Sequence, residues 1–354
     1  MSIQYEHLIR LGFEAARQLP DRAHPENALR HAGHSFELTV ATPMPRETSD
    51  GPRCADGLVS LRTHIDEVLR DLDYALLNER LTEPDDAALL DWLRQRLQLD
   101  ADADLRLRSA PRQGASSNQH GNMVWRRFRF EAAHRLPNVP DGHQCGRMHG
   151  HGFEVTISCR LDEQETGVQD AAMVRAWAPL AMQLDHRCLN DIDGLQNPTS
   201  EVIAAWLWPQ LLVSLPDLHE ISVQETDTAG CRFDGTTFWI WKDQRFESAV
   251  VLADAEPGDP RRQLHGHSYH LRLGLSAPLD QVYGWTVDFG DVKNLFNPIY
   301  KRLDHHQLNE LPGVESGDIC ALLAMIHTQA APLLPQLESI EVMETPEIGA
   351  RVSW

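Results

Sequence analysis

The chain has 354 residues, a hydrophobic share of 42% and a formal net charge of −20. This length allows two or three domains, and the composition is that of a globular protein with a full core. Phosphate-rich partners attract clusters of Lys and Arg, and no run of these longer than two residues occurs, so the charge argues against a nucleic-acid or anionic-membrane surface. A small-molecule substrate fits better.

The cysteines and the N-terminal sequence indicate the compartment. Six cysteines are dispersed without paired spacing: Cys54, Cys145, Cys159, Cys188, Cys231 and Cys320. The N-terminal stretch MSIQYEHLIR lacks the apolar core of a signal peptide, and no run of about 18 apolar residues follows. We therefore expect a reduced, cytoplasmic protein in which the cysteines other than Cys145 are small buried hydrophobic residues.

One segment occurs three times along the chain, as FEAARQLP from Phe13, FEAAHRLP from Phe130 and FESAVVLA from Phe246. Each copy is followed by a glycine-histidine pair: Gly33-His34, Gly150-His151 and Gly266-His267. The seven-residue stretches LDYALLN, LDHRCLN and LDHHQLN recur further along. A fixed period of this kind predicts three homologous units, residues 1–121, 122–238 and 239–354. The polar stretch RQGASSNQHGN has the composition of a linker between the first two.

Hydrophobic patterning within the second unit predicts its elements in chain order. VWRRFRFEAAH and FEVTISCRL alternate as half-buried strands do, and residues 171–183 and 199–213 favour helices. EISVQET predicts a third strand and residues 231–233 a fourth. Each unit is then strand, strand, helix, helix, strand, strand, an α+β arrangement in which two helices cover one face of an antiparallel sheet.

The stretch HQCGRMHGHGFEV contains a candidate metal site. His149 and His151 are two apart on a predicted strand and so point to the same side, and His134 is in position to join them from the neighbouring strand. Three histidines with an open fourth position are typical of catalytic zinc. Cys145 is either a fourth ligand, which would make the site structural, or a base or nucleophile beside the metal.

Further candidates are acidic. Asp185 with His186, and Asp304 with His305, are adjacent pairs at predicted helix ends, where a carboxylate can hold a histidine ready for proton transfer. Glu225 and Glu344 end predicted strands, where a carboxylate can accept two hydrogen bonds from an amidine-like ring edge. Isolated Asp-His pairs and strand-end carboxylates are also common without any catalytic role, and the recurrence in aligned units favours function here.

The segments FRFEAAHRLPNVPDGHQCGRMHGHGFEV, LDHRCLND, NPTSEVIAAWLW and VQET resemble the 6-pyruvoyl-tetrahydropterin synthase and 6-carboxytetrahydropterin synthase family of the tunnelling fold. The resemblance is closer to the carboxy branch, and it is strong in the second unit, clear in the third and faint in the first. It implies a 12-stranded pseudo-trimeric barrel with helices outside, closed by the three tandem units, and a dimer of two stacked barrels. It also implies Zn²⁺ on His134, His149 and His151, Cys145 as the catalytic base, and Glu225 as the pterin anchor.

The departures from the family pattern predict one site per chain. The positions aligned to His134, Cys145 and His149 hold Arg17, Ala28 and Ala32 in the first unit and Val250, Arg261 and His265 in the third. In the family the Asp-His pair comes from an adjacent subunit, so we expect Asp304 and His305 of the third unit to serve Cys145, with Asp185 and His186 as the alternative. The second unit has GVQDAAM where the third has GWTVDFGDVK, which is closer to the family pattern.

The resemblance implies a lyase that acts on 7,8-dihydroneopterin triphosphate in queuosine biosynthesis. Zinc would acidify the C–H bond beside a bound hydroxyl, Cys145 would take the proton, and triphosphate and acetaldehyde would leave. Two alternatives stay open: formation of 6-pyruvoyl-tetrahydropterin at the same site, and a non-catalytic pterin-binding or scaffold protein. The contacts to the triphosphate are open among Arg135, Arg147, Arg187 and Arg261.

Overall fold

The structure is a computed structural model that describes residues 3–20, 30–44, 55–161, 166–279 and 288–354. Its helices come in three pairs, one pair for each unit: α1 Ala55–Arg70, α2 Asp86–Leu97, α3 Thr166–Leu184, α4 Ser200–Leu212, α5 Phe289–Leu303 and α6 Ile319–Ala330. The long strands come in four per unit, and each unit adds one strand of two residues. The strands are β1 Gln4–Leu19, β2 Arg30–Pro43, β3 Ala75–Leu76, β4 Asp104–Ala110, β5 Gln113–Asn118, β6 Gly121–His134, β7 His149–Arg160, β8 Arg187–Cys188, β9 Leu218–Thr226, β10 Ala229–Phe233, β11 Phe238–Val250, β12 His265–Ser276, β13 His306–Gln307, β14 Leu337–Met343 and β15 Ile348–Ser353.

Twelve strands form one closed antiparallel ring in the order β10, β9, β7, β6, β5, β4, β2, β1, β15, β14, β12, β11, and β11 pairs back to β10. Units meet where β5 pairs with β6, β10 with β11, and β1 with β15. The ring leaves no unpaired sheet edge, which is the physical benefit of joining three four-stranded sheets. The predicted 12-stranded barrel with helices outside is confirmed.

The two faces of the ring differ in polarity. In β7, Phe153, Val155 and Ile157 are fully buried on the face that the helices cover. The alternate residues face the interior of the barrel, where Glu154 accepts a hydrogen bond from Arg127 at 3.0 Å. Because side chains alternate along a strand, the predicted period-two pattern places one continuous apolar core between ring and helices.

The predicted linker between the first two units is wrong. Residues 113–118 of that stretch are strand β5, which pairs with β6 from Gln113↔Arg126 to Asn118↔Gly121. Small residues suit this strand for two reasons. Ala115 packs in the core, and a Cβ atom at Gly114 would lie 2.6 Å from the Trp125 ring. Unit boundaries therefore coincide with tight turns between paired strands.

The helices of the second unit lie where the sequence predicts them, and their starts are capped. The Thr199 hydroxyl accepts a hydrogen bond from the N–H of Val202 at 3.2 Å, which begins α4. Asp85 and Asp318 cap α2 and α6 in the same way. Each second helix thus begins at a fixed point beside the ring, and in the second unit this point borders the candidate metal site.

The cysteines only partly follow the sequence prediction. Cys159 and Cys231 are buried free thiols, and Cys145 and Cys188 are half-buried free thiols. Cys320 is disulfide-bonded to a partner outside the described residues, so the prediction of a fully reduced chain is wrong there. None of the helices in the described ranges is long and apolar enough to cross a membrane.

Candidate active site

Three histidines meet at the end of strands β6 and β7. His134 pairs directly with His149 in the sheet register, and His151 lies two residues further along β7 on the same face. The ring centroids are 4.5 Å apart for His134 and His149, 5.1 Å for His134 and His151, and 5.0 Å for His149 and His151. A side chain at Gly150 would come within 3.0 Å of the Ala132 carbonyl oxygen, which explains the glycine between the two histidines.

The trio has the properties of a metal site. Its ligand atoms lie within 4.8 Å of one another, and it is the one such group of His, Cys, Asp or Glu in the described ranges. Nδ1 of His134 lies 3.0 Å from the Pro198 carbonyl oxygen, which leaves its buried Nε2 without a hydrogen-bond partner. Nδ1 of His149 is fixed likewise by the Arg147 carbonyl at 2.8 Å. Backbone carbonyls that hold one ring nitrogen and aim the other are typical of metal-binding histidines.

Burial favours the neutral imidazole at His134 and His151. It lowers the pKa of His134 to about 4, and burial together with His149 lowers the pKa of His151. Metals bind the neutral imidazole, so no proton has to be displaced from either ring near pH 7. The residues present therefore fit a divalent ion such as zinc.

Cys145 lies in a short turn, residues 144–146, outside this histidine group. Its N–H donates to Nδ1 of His143 at 3.2 Å, and its carbonyl accepts from the N–H of Leu136 at 2.8 Å. Burial, followed by the negative charges of Glu225 and Asp288, raises the pKa of the thiol. The geometry favours a base beside the metal over a fourth ligand.

A cavity of about 590 Å³ connects the histidines, the thiol and Glu225. The second unit provides most of its wall. The third unit adds Lys242 from β11 and Asp288, Phe289 and Gly290 from the start of α5. The cavity therefore spans the contact between these two units, as the sequence analysis expected, but with different third-unit residues from those it named.

The starts of α3 and α5 lie against different units, which is relevant to the departure in GVQDAAM. Gly167 and Asp170 of this second-unit segment line a smaller cavity of about 290 Å³ beside Arg17 of the first unit. The intact Asp288–Gly290 segment faces the intact histidines instead. Residues 284–287 of the GWTVDFGDVK segment lie outside the described residues. The degenerate segments thus meet at one contact between units and the intact segments at another.

The far wall of the cavity is acidic. Glu225 ends β9, and its carboxylate accepts a hydrogen bond from the N–H of Ser200 at the start of α4. Burial raises the pKa of Glu225 to about 8, and the buried Glu201 adds to that shift. The sequence analysis placed position 201 in a predicted helix and did not predict the place of Glu201 beside Glu225. A carboxylate in a closed pocket binds a ring edge that offers two N–H donors.

Glu225→Gln is expected to stabilise the ligand-free protein at pH 8 by up to about 3 kcal/mol. The pKa of the Glu225 carboxyl is about 8 in the folded protein, against an ordinary value of 4.5. Between these two values the folded state binds more protons than the unfolded state, so the stability of the wild type falls as pH rises. Urea unfolding at pH 5 and pH 8 measures the difference. Equal pH slopes for wild type and variant would contradict the burial of this charge. Glu344→Gln, in the third unit, should show a smaller effect of the same sign, because burial raises the pKa of Glu344 only to about 7.

The first unit replaces the metal site with a buried ion pair. Arg17 stands at the position of His134 and donates to the Pro84 carbonyl at 3.0 Å, as His134 contacts the equivalent proline. The same guanidinium binds Asp86 at 2.7 Å, and Ser109 donates to the second Asp86 oxygen at 2.6 Å. A fixed cation held by its own carboxylate thus occupies the position of the metal.

The third unit keeps an incomplete site. His265 and His267 have ring centroids 5.0 Å apart, like their second-unit equivalents. Val250, however, pairs with His265 where His134 pairs with His149, and it is buried. Arg261 replaces the thiol and binds Asp259 at 2.7 Å. Two imidazoles without the third ligand make a weak metal site, so the second unit carries the one complete set among the described residues.

The aspartate of each Asp-His pair has a structural role. The carboxylates of Asp73, Asp185 and Asp304 each accept a hydrogen bond at 2.8–3.0 Å from an N–H of the adjacent barrel strand. The residue after each aspartate donates its N–H back to that strand and has a left-handed φ, 53° at Tyr74, 55° at His186 and 59° at His305. Fastening of the helix end therefore explains the aspartate in all three units, including the first, where no histidine follows.

The two histidines of these pairs are exposed. The side chains of His186 and His305 are 78% and 76% exposed, and each Nδ1 lies 2.9 Å from its own aspartate. Of the described residues that line the large cavity, none belongs to either pair. The assignment of Asp304 and His305, or of Asp185 and His186, to the thiol stays a prediction.

The second and third units match the family model of 6-pyruvoyl tetrahydropterin synthase, at residues 123–236 and 239–353, and the chain belongs to this family of pterin synthases. The 6-carboxy-5,6,7,8-tetrahydropterin synthase of Synechocystis sp. is 38% identical over 120 residues, 31% of this chain and 92% of that protein. The putative 6-carboxy-5,6,7,8-tetrahydropterin synthase of Archaeoglobus fulgidus is 31% identical over 101 residues, 28% of this chain and 83% of that protein. The structure of Caenorhabditis elegans 6-pyruvoyl tetrahydropterin synthase aligns with 32% of this chain and 92% of that chain at 16% identity and a TM-score of 0.29. Each match has about the length of one unit.

Proposed function

We propose that the protein is a zinc-dependent enzyme of the 6-carboxytetrahydropterin synthase type. It converts 7,8-dihydroneopterin triphosphate with loss of triphosphate and acetaldehyde. The observation that carries this proposal is the single cavity in which the His134, His149 and His151 trio, the Cys145 thiol and the Glu225 carboxylate meet. The names of the Synechocystis and Archaeoglobus relatives support the carboxy branch.

The acidic wall is the proposed pterin end of the cavity. The Glu225 carboxylate accepts two hydrogen bonds from the amino and ring N–H groups of the substrate, which replaces the proton that burial favours in the free protein. The Ser200 N–H holds one carboxylate oxygen in place for this contact. Recognition at this end fixes the ring so that the side chain of the substrate points toward the histidines.

The histidine trio and the thiol are the proposed reaction centre. His134, His149 and His151 would hold a zinc ion, which would supply Lewis acidity to a hydroxyl of the substrate side chain. Cys145, in the wall of the same cavity, takes the proton from the adjacent carbon. Burial raises the pKa of the thiol in the metal-free protein, and a bound divalent cation nearby would lower it and favour the thiolate that accepts the proton.

Two basic side chains among the described lining residues, Arg147 and Lys242, are the proposed contacts for the triphosphate. Arg147 was one of four open candidates in the sequence, and Lys242 was missed because it comes from the next unit. The Lys242 ammonium donates to the Thr228 hydroxyl at 2.9 Å, which holds its charge at the cavity wall.

We also propose a cytoplasmic homodimer of stacked barrels. Tyr74, Met148 and Leu264 are 84%, 56% and 62% exposed at the barrel end that carries the site, and exposed apolar side chains of this kind mark interfaces. A second copy facing this end would bring an exposed Asp-His pair to each thiol. Light scattering should give the mass of two chains, and Met148→Glu with Leu264→Glu should halve it. A fully active monomer would exclude this assembly.

The test of the proposed activity is incubation of the zinc-loaded protein with 7,8-dihydroneopterin triphosphate and identification of the products. Release of acetaldehyde with a carboxylated pterin is expected. A product that keeps its three-carbon side chain would instead assign the 6-pyruvoyl activity. Tight pterin binding without turnover would assign a binding or scaffold role.

A further inference from the structure

A polar connection joins the Cys145 turn to the third unit. His143 begins this turn, and its Nδ1 accepts the N–H of Cys145 at 3.2 Å. The other ring nitrogen, Nε2, lies 3.4 Å from a carboxylate oxygen of Asp288. Asp288 belongs to the third unit and lies in the same cavity wall as the thiol. One imidazole therefore contacts the backbone of the catalytic residue on one side and the neighbouring unit on the other.

Both ends of this connection are fixed. Since Nδ1 accepts a hydrogen bond, the proton of the neutral ring is on Nε2, where it faces the carboxylate. Asp288 caps α5, and its first oxygen accepts the N–H groups of Gly290 at 2.5 Å and Asp291 at 3.1 Å. The second oxygen is directed to His143. The His143 and Asp288 side chains are 28% and 16% exposed, so solvent screens the contact only in part.

The equivalent turn of the third unit shows that capping alone does not require histidine. Asp259 stands 116 positions after His143, the offset that separates Glu131 from Glu247. It caps the N–H of Arg261 at 2.8 Å and binds the guanidinium of the same residue. That turn is held within its own unit by a short side chain. In the second unit the longer imidazole makes the same cap and reaches the next unit as well.

We propose that His143 and Asp288 form a positioning pair across the contact between the second and third units, and that this pair fixes the orientation of the Cys145 thiol toward the substrate. This inference deepens the proposed function and rests on it for the role of the thiol. Neither residue touches the reacting atoms. The pair fixes the turn that carries the thiol, and in doing so it makes the start of α5 in the third unit part of the catalytic geometry of the second.

Two near-isosteric variants separate the connection from the caps. Asn at position 143 keeps an acceptor for the Cys145 N–H but lacks the atom that reaches Asp288. Asn at position 288 still caps α5, because asparagine is a good N-cap, but its amide presents N–H groups to the N–H of His143. His143→Asn and Asp288→Asn are each expected to lower kcat roughly 10- to 100-fold, the range for residues that orient catalytic groups, with KM within about threefold and zinc content unchanged.

The double variant completes the test. His143→Asn with Asp288→Asn should be no slower than either single variant, because the two residues act through one contact. The matched control is Asp259→Asn, which disturbs the equivalent turn of the third unit and should leave kcat at the wild-type value. Additive losses in the double variant, or wild-type kcat in either single variant, would overturn the pairing.

A second readout does not depend on pterin turnover. The rate of alkylation of Cys145 by iodoacetamide, followed by mass spectrometry of the Cys145 peptide, measures the accessibility and reactivity of the thiol. The factor by which Asp288→Asn changes the alkylation rate should be at least about threefold larger in the wild-type background than in the His143→Asn background. The reason is that the proposed coupling passes through the imidazole. An equal change in both backgrounds would show a charge effect through space and overturn the proposal. If the pterin reaction itself is absent, this measurement still decides the pairing.

Discussion

His151→Ala is expected to release the metal and reduce turnover to background. Within the described ranges, His151 is one of three side chains whose ligand atoms converge, so its loss leaves two imidazoles of this group. Substitution of a residue that only orients a metal ligand lowers metal affinity roughly 10- to 100-fold, and substitution of a direct ligand should lower it more than 100-fold. Metal analysis after dialysis against a weak chelator should find about one zinc per wild-type chain and almost none in the variant.

His267→Ala is the matched control for this loss. His267 is the third-unit equivalent of His151, with the same T-shaped contact to its neighbouring histidine but with Val250 in place of the third ligand. We expect wild-type zinc content and turnover in this variant. Three zincs per wild-type chain, or loss of zinc from His267→Ala, would show that the other units bind metal and contradict a single site.

Cys145→Ala is expected to lower kcat roughly 10²- to 10⁴-fold, the contribution of a general acid or base, while zinc stays bound. The thiol lies outside the histidine group, so its removal takes away the proton acceptor and leaves the ligands in place. Because burial raises its pKa, the alkylation rate of Cys145 in the wild type should increase as pH rises through the alkaline range.

Cys188→Ala is the control for this substitution. Cys188 is also a half-buried free thiol, but it lies in β8 beside Asn190, away from the cavity lining. Turnover of this variant should equal that of the wild type. Full turnover by Cys145→Ala with zinc present would show that another group takes the proton.

Much of the architecture was predictable because it depends on local periodic patterns in the sequence. The repeat of FEAA-type segments and Gly-His pairs predicted three units, and the alternation along β6 and β7 placed His134, His149 and His151 on one face of the sheet. The spacing of two on a strand fixes a direction whatever the rest of the fold does. Closing three sheets into a ring followed from the need to pair every strand edge.

The prediction of a linker at residues 112–122 failed for a physical reason. Small and polar residues are typical of loops, but a strand between two units also needs small residues where a large aromatic ring packs across it, as Trp125 does at position 114. Composition cannot distinguish these two causes. The disulfide at Cys320 was missed similarly, because pairing depends on which segments the fold brings together.

The sequence by itself determined the repeat, the three candidate metal ligands and the presence of one intact set of them in the second unit. Only the tertiary structure decided which third-unit residues line the cavity, because Lys242 and Asp288 reach it through strand pairing and helix placement between units, which no local pattern records. It also showed why Asp73, Asp185 and Asp304 recur: each fastens a helix end to the ring, a contact between residues more than 50 positions apart.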